Sequence, residues 1–142
     1  MFDPKFIDPY PVLTNEKIRL SDTDRQGHVN NVAFSFFFEA GRAAIVLENP
    51  DLLEPGCFFV IVTTTIDFLG ELHYPGTVTI ANGIERVGKS SITVRQALFQ
   101  GDRCASTSSS TMAQVNIAAK ASHPLSESAR NHFAGMMLAG KD

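Results

Sequence analysis

The chain has 142 residues, 44% hydrophobic and 19% charged, which suits one domain of ordinary size whose core needs neither disulfides nor a structural metal. Its 12 Lys and Arg against 15 Asp and Glu leave a formal charge of −3, and no basic run offers the phosphate contacts of a nucleic-acid partner. Met1 to Pro11 lacks the basic start and long apolar stretch of a signal peptide, and no apolar run approaches the roughly 20 residues of a membrane span. A cytoplasmic protein is therefore expected. Cys57 and Cys104 lie in apolar or strand-like stretches without zinc or redox spacing, and both are expected as buried free thiols.

Residues 1–14 form a Pro-rich lead-in to a single domain spanning 1–142. Glu16 to Ser21 alternates Ile18 and Leu20 with Lys17 and Arg19, the pattern of a half-buried strand. From Val32 to Leu47 the sequence VAFSFFFEAGRAAIVL is long enough for a helix, with Asn30 or Asn31 able to cap it and Asn49-Pro50 to end it. Apolar residues occupy every face, so the helix should be largely buried. Its polar members Asn31, Ser35, Glu39 and Arg42 make one narrow stripe, and Gly41 in its middle costs about 1 kcal/mol unless another backbone packs closely there.

Cys57–Leu69, Thr77–Val87, Ser90–Gln100 and Arg103–Ile117 are rich in Val, Ile, Thr and Phe and read as four strands. Gly88-Lys89 and Gly101-Asp102 have the chemistry of two-residue hairpin turns with glycine first, and Tyr74-Pro75-Gly76 supplies a further turn. The last three strands should form an antiparallel meander. A weaker helix is expected over Ser126–Leu138. The simplest α+β packing is a five-stranded antiparallel sheet curled around the long helix, its other face or its edges left for a partner subunit.

Chemistry concentrates in Asp22-Thr23-Asp24-Arg25-Gln26-Gly27-His28-Val29-Asn30-Asn31, which places two carboxylates, an imidazole and two amides ahead of a helix start. That set can supply a base or nucleophile, a proton carrier and donors for a developing oxyanion. It can also be an ordinary solvated loop whose Asp and Asn only turn and cap the chain. An EF-hand calcium loop fits worse, because Ala33 stands where the bidentate Glu belongs and no helix precedes Asp22. An aspartyl phosphatase reading of Asp-Thr-Asp fails on topology, since it needs a parallel sheet with several crossover helices.

The stretch RLSDTDRQGHVNNVAFSFFFEAGR resembles the signature of the 4-hydroxybenzoyl-CoA thioesterase-like hotdog family, closely over Ile18 to Arg42 and more loosely through Thr65–Leu69, Tyr74-Pro75-Gly76 and the meander. The resemblance implies a hotdog fold, in which the sheet wraps the central helix, and an acyl-CoA thioesterase. It places Asp24 on the catalytic carboxylate, Asp22 on a structural one and His28 on a position that many relatives fill with His. Asn31 falls near the residue whose backbone amide points at the thioester carbonyl. Phe34 replaces the usual Tyr, which removes any hydroxyl role, and Glu39 is the alternative helix-borne carboxylate used by other hotdog branches, although its spacing to Arg42 allows an ion pair.

A thioester needs no metal or strong leaving-group protonation, because a thiolate leaves well near neutral pH. No cofactor is expected beyond the CoA of the substrate, no metal is assigned, and activity should survive chelation. The acyl group should enter an apolar pocket beside the helix. Arg86, Lys89, Arg95 and Arg103, near the meander and its hairpins, are candidate cations for CoA's phosphates, none of them assigned a binding role. A noncatalytic acyl-CoA-binding domain and a hotdog hydratase or dehydratase are the competing readings. Uncovered sheet edges imply a homodimer or a tetramer.

Overall fold

The computed structural model describes residues 2–140; Met1, at the start of the lead-in, and Lys141 and Asp142 lie outside the described residues. In chain order the elements are β1 (Val12–Ile18), α1 (Asn31–Val46), β2 (Cys57–Phe68), β3 (Gly76–Val87), β4 (Ser91–Gln100), β5 (Arg103–Asn116), β6 (Ala121–Ser122) and α2 (Glu127–Ala134), with 3-10 turns at Leu20–Asp22 and Pro50–Leu52. One antiparallel sheet runs β1-β3-β4-β5-β2, and the two-residue β6 adds to β5. This curled sheet with one long helix against it is the hotdog arrangement, five principal strands as expected.

The helix starts where Asn30 caps it, its side chain accepting from the Ala33 amide at 2.9 Å. Ala33, Phe34, Phe37, Phe38, Gly41, Ile45 and Val46 are buried, and each large side chain among them contributes on the order of 1.5–3 kcal/mol by leaving water. Phe34, Phe37 and Phe38 pack on Val78, Ile80 and Leu98, while Ile45 and Val46 join Ile84, Ile92 and the α2 residue Phe133. The sheet covers only one side of α1, however, so burial is confined to that side and falls short of the largely buried helix expected. Val32, Phe36 and Leu47 face outward, Phe36 at 57% exposure.

Several boundaries differ from the sequence reading. The first strand starts at Val12, inside the expected lead-in, and ends at Ile18. Leu20 sits exposed on the 3-10 turn, because the Arg19–Asp22 contacts pull the chain out of the sheet there. The lead-in is not a loose tail: Tyr10, with Phe2 and Ile7 beside it, packs on Ala81, Ala97 and Phe99 across the sheet from α1. At the β3–β4 hairpin, Gly88 pairs with Ser91 and the turn residues are Lys89-Ser90, one position later than expected. Gly101-Asp102 does form the expected turn, with Gly101 at φ +64°. Cys57 is buried, but Cys104 is only half-buried.

What packs against Gly41 is not backbone but side chains. Gln96 donates to the Phe38 carbonyl at 2.8 Å and to Asn82 Oδ1 at 2.7 Å, forming a fully buried polar cluster under the helix. Among the described residues no helix is long and apolar enough to cross a membrane.

Candidate active site

The loop between the 3-10 turn and α1 is a tight backbone knot. Thr23 and Val29 bridge, the Asp24 amide donates to the His28 carbonyl at 2.9 Å, and the Gly27 amide returns to the Asp24 carbonyl at 3.2 Å. Gly27 takes φ +81°, a left-handed conformation that favours glycine. The Asp24 side chain is exposed, with Oδ1 accepting from the Gln26 amide at 2.9 Å and the His28 amide at 3.3 Å. Those bonds fix the carboxylate's orientation through Oδ1 alone.

Asp22 does a different job. It is buried and accepts from the Arg19 guanidinium at 3.0 Å and the Arg19 amide at 2.8 Å, while its carbonyl takes the Asn30 amide at 2.9 Å. Burial pushes its pKa up, but the Arg19 hydrogen bonds and charge outweigh that and hold it below the usual carboxylate range. Asp22 therefore fastens the loop to the helix start. Asn31 is the first helical residue, so its amide and that of Val32 have no carbonyl within the helix to donate to. Two donors unclaimed among the described residues, and the helix dipole, thus stand one short loop from Asp24.

His28 Nε2 lies 3.2 Å from Glu71 Oε2, and His73 Nε2 lies 3.7 Å from the same oxygen. Sequence reading missed both Glu71 and His73. Their one local signal is alternation about buried Leu72, which turns residues 71 and 73 to the same side.

The Glu39–Arg42 ion pair that the spacing allows is absent among the described residues. Arg42 reaches instead toward Gln96 Oε1 at 3.4 Å, and burial lowers its pKa while the charge of Glu39 opposes the shift. Glu39 stays exposed on the outward side of α1. Both line a pocket of about 340 Å³ beside the helix, walled by Phe36, Val46, Phe59 and Met112. Phe34 is buried, its ring 5.3 Å from that of Phe68. Of the four cations considered for CoA, Arg95 is tied to Glu85 at 3.2 Å, whereas Arg103 lies beside Gly70 and donates to Gln100 Oε1 at 3.4 Å.

The sequence profile of the thioesterase superfamily matches residues 26–105, more than half the chain. The chain belongs to the thioesterase superfamily. Solved structures share its fold. A predicted thioesterase from Bacillus stearothermophilus is 28% identical, with a TM-score of 0.80 over 88% of this chain and 95% of that one. A Pseudomonas aeruginosa protein superposes with a TM-score of 0.86 at 22% identity, over 95% of this chain and 97% of that one. A Thermus thermophilus thioesterase solved with coenzyme A and zinc gives 0.79 at 22% identity, over 91% and 96%. At 22% identity the last two likenesses speak for the fold alone. No curated protein sequence matches this chain.

Proposed function

We propose that this thioesterase-superfamily chain hydrolyses an acyl-CoA to the free acid and CoA, with Asp24 as the reacting carboxylate. The observation that carries this reading is an exposed, backbone-oriented Asp24 carboxylate on the loop that leads into α1, whose first two amides are unclaimed among the described residues. Hydrolysis needs an oxygen nucleophile on one side of the carbonyl and donors for the oxyanion on the other. Asp24 can attack the carbonyl to give a mixed anhydride that water opens, or it can take a proton from the attacking water. Either way the C–S bond breaks, the thiolate leaves with its electron pair, and water supplies the hydroxyl of the acid. His28, whose amide is tied to Asp24, is the proton carrier nearest along the chain. The Thermus thermophilus structure, which holds coenzyme A on the same fold, supports a CoA ester as substrate.

The pocket against Phe36, Phe59 and Met112 suits the acyl chain. The test is CoA release from a panel of acyl-CoAs, followed with a thiol reagent and EDTA present. Release from at least one ester, undiminished by the chelator, is expected. Tight binding without release would favour a noncatalytic binding domain, and hydration of an enoyl-CoA would favour the hydratase reading.

The assembly belongs to the same proposal. β2 is an edge strand of 12 residues with Phe58, Val60, Ile61 and Val62 exposed, and it continues into exposed Leu69. An edge this long and apolar is a template for strand pairing, and beside it α1 presents Phe36 and Leu47. Pairing of β2 with β2 of a second copy would cover both and close the pocket's outer side. Sedimentation at micromolar concentration should show a dimer or a larger even assembly. A fully active monomer would contradict it.

A further inference from the structure

We infer that His28, Glu71 and His73 form a binding site for a divalent cation of the zinc class, with its remaining coordination open to water. The three ligand atoms lie within 4.8 Å of one another. With metal–ligand bonds near 2.0–2.1 Å, ligand atoms of a tetrahedral site are separated by about 3.3 Å. His28 Nε2 to Glu71 Oε2 is 3.2 Å and His73 Nε2 to the same oxygen is 3.7 Å, so two of the three edges already approach that length. The imidazole rings meet edge-on, 5.2 Å between centroids and 78° between planes. Both thus present a ring nitrogen to one point.

The backbone fixes this meeting. His28 and His73 face each other across an antiparallel bridge, and the Val29 amide donates to the Leu72 carbonyl at 2.9 Å. Gln100 on β4 clamps His73 from the other side, accepting from its amide at 3.0 Å and donating to its carbonyl at 2.8 Å. Leu72 between the two ligands is fully buried and keeps Glu71 and His73 on the same side of the chain. Ligands held in place before binding lose little freedom on taking the ion, which favours affinity.

Two imidazoles and one carboxylate set the class of ion. Calcium and magnesium prefer all-oxygen surroundings, whereas imidazole nitrogen suits zinc, cobalt or nickel. Glu71 and His73 are exposed, so entry is open and one or more coordination positions remain for water. The site would cross-link the loop that carries Asp24 to the segment before β3. The ion would take the His28 imidazole that hydrolysis by the metal-free chain uses as proton carrier, so the test reads binding and needs no acyl-CoA.

The tag-free full-length chain, stripped with EDTA and freed of chelator, is titrated with zinc by calorimetry and with cobalt by visible absorption. One equivalent per chain is expected, with a cobalt spectrum of low coordination number and a zinc-dependent rise in Tm. His73→Ala and Glu71→Gln, both at exposed side chains, should each weaken binding at least about tenfold, the low end for disturbing a metal site. Their Tm in EDTA should match that of the unaltered chain, and His123→Ala should bind like it. Absence of uptake by the unaltered chain, or uptake unchanged in both site variants, overturns the inference.

Discussion

Gly41→Ala should lower stability by about 3 kcal/mol, even though alanine is the better helix former by about 1 kcal/mol. A Cβ at Gly41 would meet Gln96 Nε2 at 2.6 Å and Ile80 Cγ2 at 2.7 Å, and would crowd Asn82 Oδ1 as well. None of the three can step aside cheaply. Gln96 is bonded to Phe38 and Asn82, Asn82 donates to the carbonyls of Val12 at 3.1 Å and Ile80 at 3.2 Å, and all three residues are fully buried. Yielding would strand a buried polar group, at about 1–3 kcal/mol each, on top of the overpacking strain. For a domain of this size the loss corresponds to a fall in Tm of roughly 10 °C. Thermal unfolding followed by circular dichroism checks it, and an unchanged Tm would mean that the helix does not press on this cluster.

The same cluster shows where sequence reading reached and where it stopped. Gly41 stands out within an apolar helix, so a close approach there could be anticipated, but the partners Asn82 and Gln96 lie on strands whose register only the folded sheet reveals. The four long strands were legible because Val, Ile, Thr and Phe are dense between glycine turns, and their ends fall within a residue of the expected ones. The first strand was placed late because Ile18 and Leu20 alternate. Only Ile18 faces the core, since Asp22 bends the chain away at Arg19.

At the site, Asp22, Asp24, His28 and Asn31 were legible as neighbours in sequence, and the loop brings them together at the helix start. Glu71 and His73 were not, because a bridge between distant segments delivers them to His28. Glu39 and Arg42 have the spacing of an ion pair, but Gln96 on β4 offers the Arg42 guanidinium a more buried acceptor. Spacing along a helix cannot register a competitor from the sheet beneath it.

Asp24→Asn should fold, bind acyl-CoA and lose at least about a hundredfold in kcat, the low end for removing a positioned acid, base or nucleophile. The amide is nearly isosteric, and its oxygen can still accept from the Gln26 and His28 backbone, so the knot at Gly27 should persist. The helix-start amides and the pocket remain as well, which leaves the binding of the thioester intact and confines the loss to the chemical step. Asp22→Asn should cost less in rate, because Asp22 faces Arg19 rather than the open side of the loop. Glu39→Gln should be mild, since Glu39 holds no ion pair with Arg42 and stands exposed on the helix.

Side-by-side kcat and KM for Asp24→Asn and Glu39→Gln, measured on whichever acyl-CoA the unaltered chain turns over fastest, put the question of which carboxylate reacts most directly. The expected result is a collapse of kcat by at least about a hundredfold in Asp24→Asn, with KM little changed and Glu39→Gln close to the unaltered chain. Near-normal turnover in Asp24→Asn together with abolished turnover in Glu39→Gln would move the reacting carboxylate onto α1 and contradict the assignment to the loop.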